Sequence, residues 1–279
     1  MPELERPGGV VLNYETSGDP AMPPVVLLHG FTSDLRMWTP HVAALSEQYY
    51  TVSLDLRGHG LSTAPDEPEA ATMQDFADDV MALLDALGIE LGVLVGCSFG
   101  GMIAAQVAVD APGRLAGLVL SDASAAYEND AYDDAYRQRE ARMRETEEVV
   151  RRFGTAELGK RMAARITDPF LAQAARDRYT RMSAEGYLAA ARVRRERPDL
   201  LPLLGAALTM PVLVCTGSAD PVHSASLVMA GRIPGARVVT FRDAGHGLPA
   251  VAPERFVEVL FAFLHDVERH EPIGGEFAV

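Results

Sequence analysis

Residues 93–105, VLVGCSFGGMIAA, decide the fold of this chain. A short apolar run leads into glycines placed around Ser98, and small apolar residues follow. This order predicts a strand that turns sharply into a helix, with the serine at the turn. Two interpretations fit the pattern: a nucleophile held on a tight turn, or a glycine-rich loop that lets a phosphate approach a helix N-terminus.

The composition narrows the function classes. The chain has 279 residues, 48% hydrophobic and 23% charged, as in ordinary soluble proteins. Its formal net charge of -14 repels phosphate backbones, so we expect no nucleic-acid partner. The polar N-terminal segment lacks the apolar core of a signal peptide, and no apolar run reaches the length of a membrane span. We therefore expect a cytoplasmic protein without a membrane partner.

The cysteines and histidines show no metal-binding or disulfide pattern. Cys97 and Cys215 both lie in apolar runs, which is typical of buried thiols. The chain contains neither C-x-x-C nor H-E-x-x-H spacing. We expect no metal and no organic cofactor.

Strand-like and helix-like segments alternate over residues 1–125 and again over residues 206–279. The strands are nearly continuous apolar runs, which favours an α/β fold whose mostly parallel sheet is covered by helices on both faces. Residues 126–205 contain no good strand and are rich in Ala, Arg and Glu. This pattern predicts a helical cap inserted into the α/β core, and the C-terminal EPIGGEFAV is expected to be loose.

One helix is marked at both ends. Thr72 is a good N-cap residue, Asp75 completes a capping-box variant, and Gly88 closes the helix. Apolar residues follow at helical spacing: Met73, Phe76, Val80, Leu83, Leu84 and Leu87.

The G-x-S-x-G pattern at residues 96–100 favours the nucleophile interpretation. It lies between a predicted strand and a predicted helix, as a nucleophile elbow requires. Gly96 and Gly100 leave room for a strained turn that a Cβ would obstruct. We predict Ser98 as the nucleophile.

A serine hydroxyl needs a base, and His246 is the predicted one. It lies in DAGHGLP, directly after the last core strand, at the sheet edge where Ser98 is also expected. The remaining histidines have plainer interpretations, with His29 and His59 shaping turns, His223 near a helix start, and His41, His265 and His270 on exposed helix positions.

The acid that orients the base has two candidates. Asp220, in GSADPV, follows the penultimate strand and fits the chain order serine, acid, histidine. Asp122 follows an earlier strand and is the alternative; its structural interpretation is a cap for the segment that enters the insertion. Asp55 is interpreted as structural, bonding the loop that follows it. We predict Asp220 as the acid.

The oxyanion hole is predicted from backbone donors. The N–H groups of Phe99, after the nucleophile, and Phe31, after an earlier strand, are the expected pair. Trp38 and Phe31 are predicted to line the substrate pocket. Aromatic and apolar cap residues are weaker candidates, and they are Tyr132, Tyr136, Phe170 and Leu171.

Five motifs together resemble those of α/β-hydrolases with a helical cap, over nearly the whole chain. They are HGF (29–31), DLRGHG (55–60), GCSFGG (96–101), GSADPV (217–222) and GHG (245–247). The resemblance is greatest to 3-oxoadipate enol-lactonases, esterases and cofactor-free haloperoxidases, although those enol-lactonases usually carry GLSMGG at the elbow. It implies a serine hydrolase that cleaves small or medium carboxylic esters or lactones through an acyl-enzyme. Enol-lactonase or related C–C or perhydrolase chemistry of the same triad is the alternative.

Two functions of other classes also fit parts of the pattern. A dinucleotide-binding domain would use the strand, the glycines and Asp122, but it needs a glycine where Ser98 stands and leaves His246 unexplained. A hydrolase-fold receptor that binds a small ligand with little turnover is compatible with an intact triad.

Overall fold

A nine-stranded sheet lies at the centre of the computed structural model, which describes residues 2–279 except for the side chain of Leu171. The strands are β1 (Glu3–Arg6), β2 (Val10–Ser17), β3 (Pro24–Leu28), β4 (Tyr50–Leu54), β5 (Gly92–Cys97), β6 (Leu115–Ser121), β7 (Val212–Gly217), β8 (Arg237–Phe241) and β9 (Gly275–Ala278). Their spatial order is β1-β2-β4-β3-β5-β6-β7-β8-β9. β2 is antiparallel to β1 and β4, and all other neighbouring pairs are parallel. The predicted fold class is confirmed.

Ten helices join these strands within residues 2–279. They are α1 (Thr39–Leu45), α2 (Met73–Ala86), α3 (Phe99–Asp110), α4 (Asp134–Ala163), α5 (Pro169–Thr180), α6 (Ala184–Glu196), α7 (Leu204–Ala207), α8 (His223–Ala230), α9 (Leu248–Val251) and α10 (Pro253–Glu268). Two short 3-10 helices span Leu35–Trp38 and Pro112–Arg114. In the described part of the chain, no helix has the length and apolar character needed to cross a bilayer.

Alternating side chains of the buried strands divide the core into two clusters. In β3, Val26 and Leu28 face a cluster that includes residues of α2, α3 and α8. Val25 and Leu27 face the opposite cluster, which includes residues of α1 and α10. This is the two-residue period of a strand, and it explains why both faces of the sheet are apolar.

The predicted capped helix is α2. Thr72 accepts a hydrogen bond from the Asp75 backbone N–H, and the Asp75 side chain accepts one from the Thr72 N–H. The residues of the apolar stripe are buried from Met73 to Leu84, and Leu87 packs partly buried against the same cluster. Gly88 follows with a φ of 65°, which suits a helix end.

Helices α4 to α7 lie between β6 and β7, and no strand is found among the described residues of that stretch. The long helix α4 is interrupted at Gly154, whose φ is 79°. A small apolar cluster of its own joins α4, α5 and α6. The segment also contacts the core closely, since a Cβ added to Gly58 would lie 2.7 Å from the Cα of Gly186 in α6.

Two predictions are wrong: that the C-terminal tail is loose, and that His41 is exposed. The tail forms β9, which pairs with β8 in parallel register from Arg237↔Gly275 to Thr240↔Ala278. Because all four β9 residues are exposed, backbone pairing holds this strand, and the sequence carries no burial pattern there. His41 is fully buried, between Trp38 and Phe256, where an exposed helix position was expected.

Candidate active site

Ser98 stands alone on the turn between β5 and α3. Its backbone φ of 53° and ψ of -111° lie in a region that residues other than glycine rarely adopt. The neighbouring glycines permit this turn, because a Cβ on Gly96 would lie 2.3 Å from the carbonyl O of Gly100. A Cβ on Gly100 would lie 2.3 Å from the carbonyl O of Leu28. Backbone atoms cannot yield at such distances, so the elbow depends on both glycines.

Loops after three parallel strands bring Ser98, His246 and Asp220 together at one edge of the sheet. His246 Nε2 lies 2.9 Å from Ser98 Oγ, and His246 Nδ1 lies 2.9 Å from Asp220 Oδ2. Ser98 and Asp220 are buried, and the imidazole is half-buried between them. This arrangement can move a proton from the serine hydroxyl to the imidazole, while the carboxylate orients the ring.

The two predicted acid candidates, Asp220 and Asp122, lie close together, and their pKa values are shifted in opposite directions. Burial acts to raise the pKa of Asp220, but the hydrogen bond to His246, the charge of His246 and the Val222 N–H outweigh it. The pKa of Asp220 is therefore lowered, and its carboxylate is ionised at neutral pH. Burial raises the pKa of Asp122 to about 7, opposed by the charge of His246 and increased by the nearby Asp220. This separation suits Asp220 to the role of negative partner for the imidazole.

Asp122 is hydrogen-bonded to the backbone of the loop that carries His246. Its Oδ2 accepts hydrogen bonds from the backbone N–H of Gly247 at 3.0 Å and of Leu248 at 2.7 Å. The expected role as a cap for the inserted segment is therefore wrong, because both bonds go to the residues that follow His246. Asp55 is structural as predicted, since its carboxylate accepts bonds from Leu35 and Leu61 N–H groups.

The predicted oxyanion donors lie beside the serine. Phe99 is the first residue of α3, and Gly30, which precedes Phe31, approaches Ser98 so closely that an added Cβ would lie 3.5 Å from the Ser98 Cβ. Among the hydrogen bonds of the described residues, neither the Phe31 nor the Phe99 N–H has an acceptor. The ring centroids of these two residues lie 6.3 Å apart in an edge-to-face contact.

Comparison with known protein families agrees with the nucleophile-elbow geometry of this site. The family model described as alpha/beta hydrolase fold matches residues 23–253. The chain belongs to this family. The recognised resemblance and the predicted enzyme class, a carboxylic ester hydrolase, are confirmed by the relatives described next.

Several relatives of this α/β-hydrolase match almost its full length. The 3-oxoadipate enol-lactonase 1 of Acinetobacter baylyi is 29% identical over 93% of this chain and 95% of its own. A solved thermophilic esterase from Thermogutta terrifontis, with malate bound, is 33% identical, with a TM-score of 0.80 over 95% of this chain and 97% of its own. The enol-lactonase from Burkholderia xenovorans LB400 is 27% identical, with a TM-score of 0.80 over 95% and 100%.

Two of the predicted pocket residues lie elsewhere in this α/β-hydrolase. Trp38 is fully buried in the core, where its indole contacts His41 and Phe256. The position of Trp38 in the sequence, close after Phe31, does not fix the side of the sheet that its ring faces. The ring packs against Phe256 of α10. Phe170 is 80% exposed on α5, so it covers no pocket. Leu171, named with it, has its side chain outside the described residues.

The other two predicted pocket residues, Tyr132 and Phe31, lie at different places beside the inserted helices. Tyr132 and Tyr136 pack with ring centroids 4.6 Å apart and line a cavity of about 350 Å³ at the start of α4. Ser98 is not among the residues that line this cavity. Phe31 is half-buried, and its ring lies 4.8 Å from that of Tyr187 in α6. It therefore joins the oxyanion loop to the inserted helices.

Arg139 in α4 is a site residue that the sequence did not indicate. Its Nη2 lies 3.3 Å from His246 Nε2, across 107 residues of sequence. Its Nη1 donates to Glu140 Oε1 at 2.6 Å. Residues 126–205 contain many arginines, and no local pattern distinguishes this one from the others. Among residues 2–279, no group of His, Cys, Asp and Glu side chains is arranged to hold a metal ion.

Proposed function

We propose that this α/β-hydrolase is a serine hydrolase that cleaves carboxylic esters, including lactones, through an acyl-enzyme. Ser98 is the nucleophile, His246 the general base and acid, and Asp220 the group that orients and charges the imidazole. The observation that carries this proposal is the pair of 2.9 Å contacts that join Ser98, His246 and Asp220. The separated acidities of Asp220 and Asp122 also support it.

The reaction follows from the atoms in contact. Ser98 Oγ attacks the carbonyl carbon as its proton passes to His246 Nε2, and the negative charge collects on the carbonyl oxygen. The Phe31 and Phe99 N–H groups donate to that oxygen. His246 then returns the proton to the departing alkoxide, which leaves as an alcohol. Water attacks the acyl-enzyme by the same route and releases the acid and Ser98.

Esters and lactones are the substrates that the relatives favour. The enol-lactonases and the esterase described above cover this chain almost end to end. In a lactone the alkoxide stays tethered, so the product is a single hydroxy acid. Because α4 and α6 contact His246 and Phe31, the inserted helices restrict the space above the serine. We therefore propose small or medium acyl groups in preference to long fatty acyl chains.

Labelling tests the nucleophile. A fluorophosphonate should give one adduct, located by mass spectrometry on Ser98, and Ser98→Ala should abolish it. Ser224→Ala, a change at a half-buried serine outside the triad, is the control and should label like the wild type. An adduct on another residue, or none on folded protein, would contradict the proposal.

Turnover tests the substrate class. We expect hydrolysis of p-nitrophenyl acetate and butyrate and of small lactones, with palmitate much slower. Best turnover on palmitate would contradict the restricted pocket. Labelling of Ser98 without turnover of any ester or lactone would instead favour a ligand receptor.

A further inference from the structure

The contact between Arg139 and His246 constrains the protonation of the imidazole. A guanidinium can only donate hydrogen bonds, so Nε2 of His246, 3.3 Å from Arg139 Nη2, must be the acceptor. The ring proton is then on Nδ1, where it is donated to Asp220. This is the tautomer that a general base requires, since Nε2 keeps its lone pair.

That single lone pair faces two donors. The Ser98 hydroxyl lies 2.9 Å from Nε2, and the Arg139 guanidinium lies 3.3 Å from the same atom. A good hydrogen bond to one donor weakens the bond to the other, because both use the same lone pair. In addition, proton transfer from Ser98 creates an imidazolium beside a permanent positive charge, which repels it.

Arg139 shares its carboxylate partner with a second guanidinium group. Glu140 is buried and shared between Arg139 and the buried Arg194. Burial acts to raise the pKa of Glu140, but the charges of Arg194 and Arg139 hold it below its usual value, so Glu140 is ionised. The Nε and Nη2 atoms of Arg194 have no hydrogen-bond partner among the described residues. Two guanidinium groups therefore share one carboxylate next to the proposed base.

We propose that Arg139 is a specificity-determining residue that selects substrates carrying a carboxylate close to the scissile ester or lactone carbonyl. This inference rests on the proposed function. A substrate carboxylate binds the Arg139 N–H groups in place of His246 Nε2 and leaves the lone pair to the Ser98 hydroxyl. Its negative charge also offsets the repulsion between Arg139 and the imidazolium. A neutral substrate provides neither effect.

The proposal predicts opposite effects on two substrate types. Arg139→Gln removes the positive charge that binds the substrate carboxylate, so hydrolysis of a carboxylated lactone should slow. The same change removes the repelling charge and draws the donor back from His246 Nε2, because the Gln amide ends two bonds short of the Nη2 position, so a neutral lactone should be hydrolysed as fast as before or faster. A merely structural role for Arg139 would change both rates in the same direction.

The substrates for the test are γ-carboxy-γ-butyrolactone and γ-valerolactone, which has a methyl group where the first has the carboxylate. Proton release in a pH-stat measures kcat/KM for both. The wild type should prefer the carboxylated lactone by at least about tenfold, as expected for one charge-assisted hydrogen bond. In Arg139→Gln the ratio of the two kcat/KM values should fall by about tenfold or more.

Arg137→Gln is the matched control, because Arg137 lies on the same helix, is exposed and contacts Asp134 instead of His246. It should keep the wild-type ratio. A wild type that prefers the neutral lactone would overturn the proposal. So would an unchanged ratio in Arg139→Gln, or an equal fall of the ratio in Arg137→Gln.

Binding of malate provides a readout that does not need turnover. Calorimetric titration should show that Arg139→Gln binds malate at least about tenfold more weakly than the wild type and Arg137→Gln. Equal affinity in all three proteins would overturn the proposal. Failure of the proposed function is recognised separately, because the fluorophosphonate would then leave Ser98 unlabelled. A labelled Ser98 with an unchanged lactone ratio refutes the role of Arg139 alone.

Discussion

The two neighbouring carboxyl groups allow the proposed roles to be separated by one isosteric substitution. Asp122→Asn keeps an oxygen that can accept the Gly247 and Leu248 N–H groups, and its amide NH2 can donate toward Asp220. We expect kcat to stay within about tenfold of the wild type, because Asp122, with a pKa of about 7, is already partly protonated and neutral near neutral pH.

The same substitution has a predictable effect on stability. The pKa of Asp122 is about 7 in the folded protein, against an ordinary value of 3.8. Between about pH 4 and pH 7 the folded protein therefore binds more protons than the unfolded chain, and the free energy of unfolding falls as the pH rises. At about 1.4 kcal/mol per unit, this loss is on the order of 4 kcal/mol. The lowered pKa of Asp220 acts in a separate window, below its ordinary value.

Urea unfolding at several pH values measures this difference. Subtracting the wild-type free energy from that of Asp122→Asn cancels the contributions of groups that do not interact with Asp122. The difference should increase between about pH 4 and pH 8 in favour of the variant, by a few kcal/mol. Parallel curves would refute the raised pKa, and a loss of activity as large as that of Asp220→Asn would refute the assignment of Asp220 as the acid.

Three further predictions concern the acid, the elbow and a helix end. Asp220→Asn should fold normally and lose kcat by about 10⁴-fold in steady-state assays, because an amide cannot hold the imidazole in the tautomer that a base needs. Gly100→Ala should cost about 3 kcal/mol in denaturant unfolding, because its Cβ meets a backbone oxygen, whereas Gly113→Ala, with nothing within 4 Å of its Cβ, should be nearly neutral. Thr72→Ala should cost about 1 kcal/mol, because α2 loses its N-cap oxygen.

The sequence predicted the features that depend on local pattern and on the rule that parallel strands end at one edge. Ser98, Asp220 and His246 each follow a buried strand by a few residues, so their convergence follows from the sheet. The ends of α2 could be predicted because caps are local.

Features that depend on packing were not predictable in the same way. Strand β9 is held by backbone hydrogen bonds to β8. All its side chains are exposed, so the sequence has no pattern of alternating burial that would predict a strand there. Trp38 follows the oxyanion loop in sequence, but the side of the sheet that its ring enters is set by the partner on α10. An aromatic residue near a site in sequence is therefore weak evidence for a pocket wall.

Specificity is the hardest property to predict, because it depends on how α4 docks over the sheet. Almost half of the residues of that helix are charged, and its direction changes at Gly154. Only the docked helix shows that Arg139 contacts His246, whereas Arg137, two residues earlier, contacts Asp134 and is exposed. Two residues correspond to a rotation of about 200° around a helix, so Arg137 and Arg139 point to opposite sides, and the docking of α4 decides which of them faces His246. We therefore expect the docking of the inserted helices to decide which charge the substrate meets.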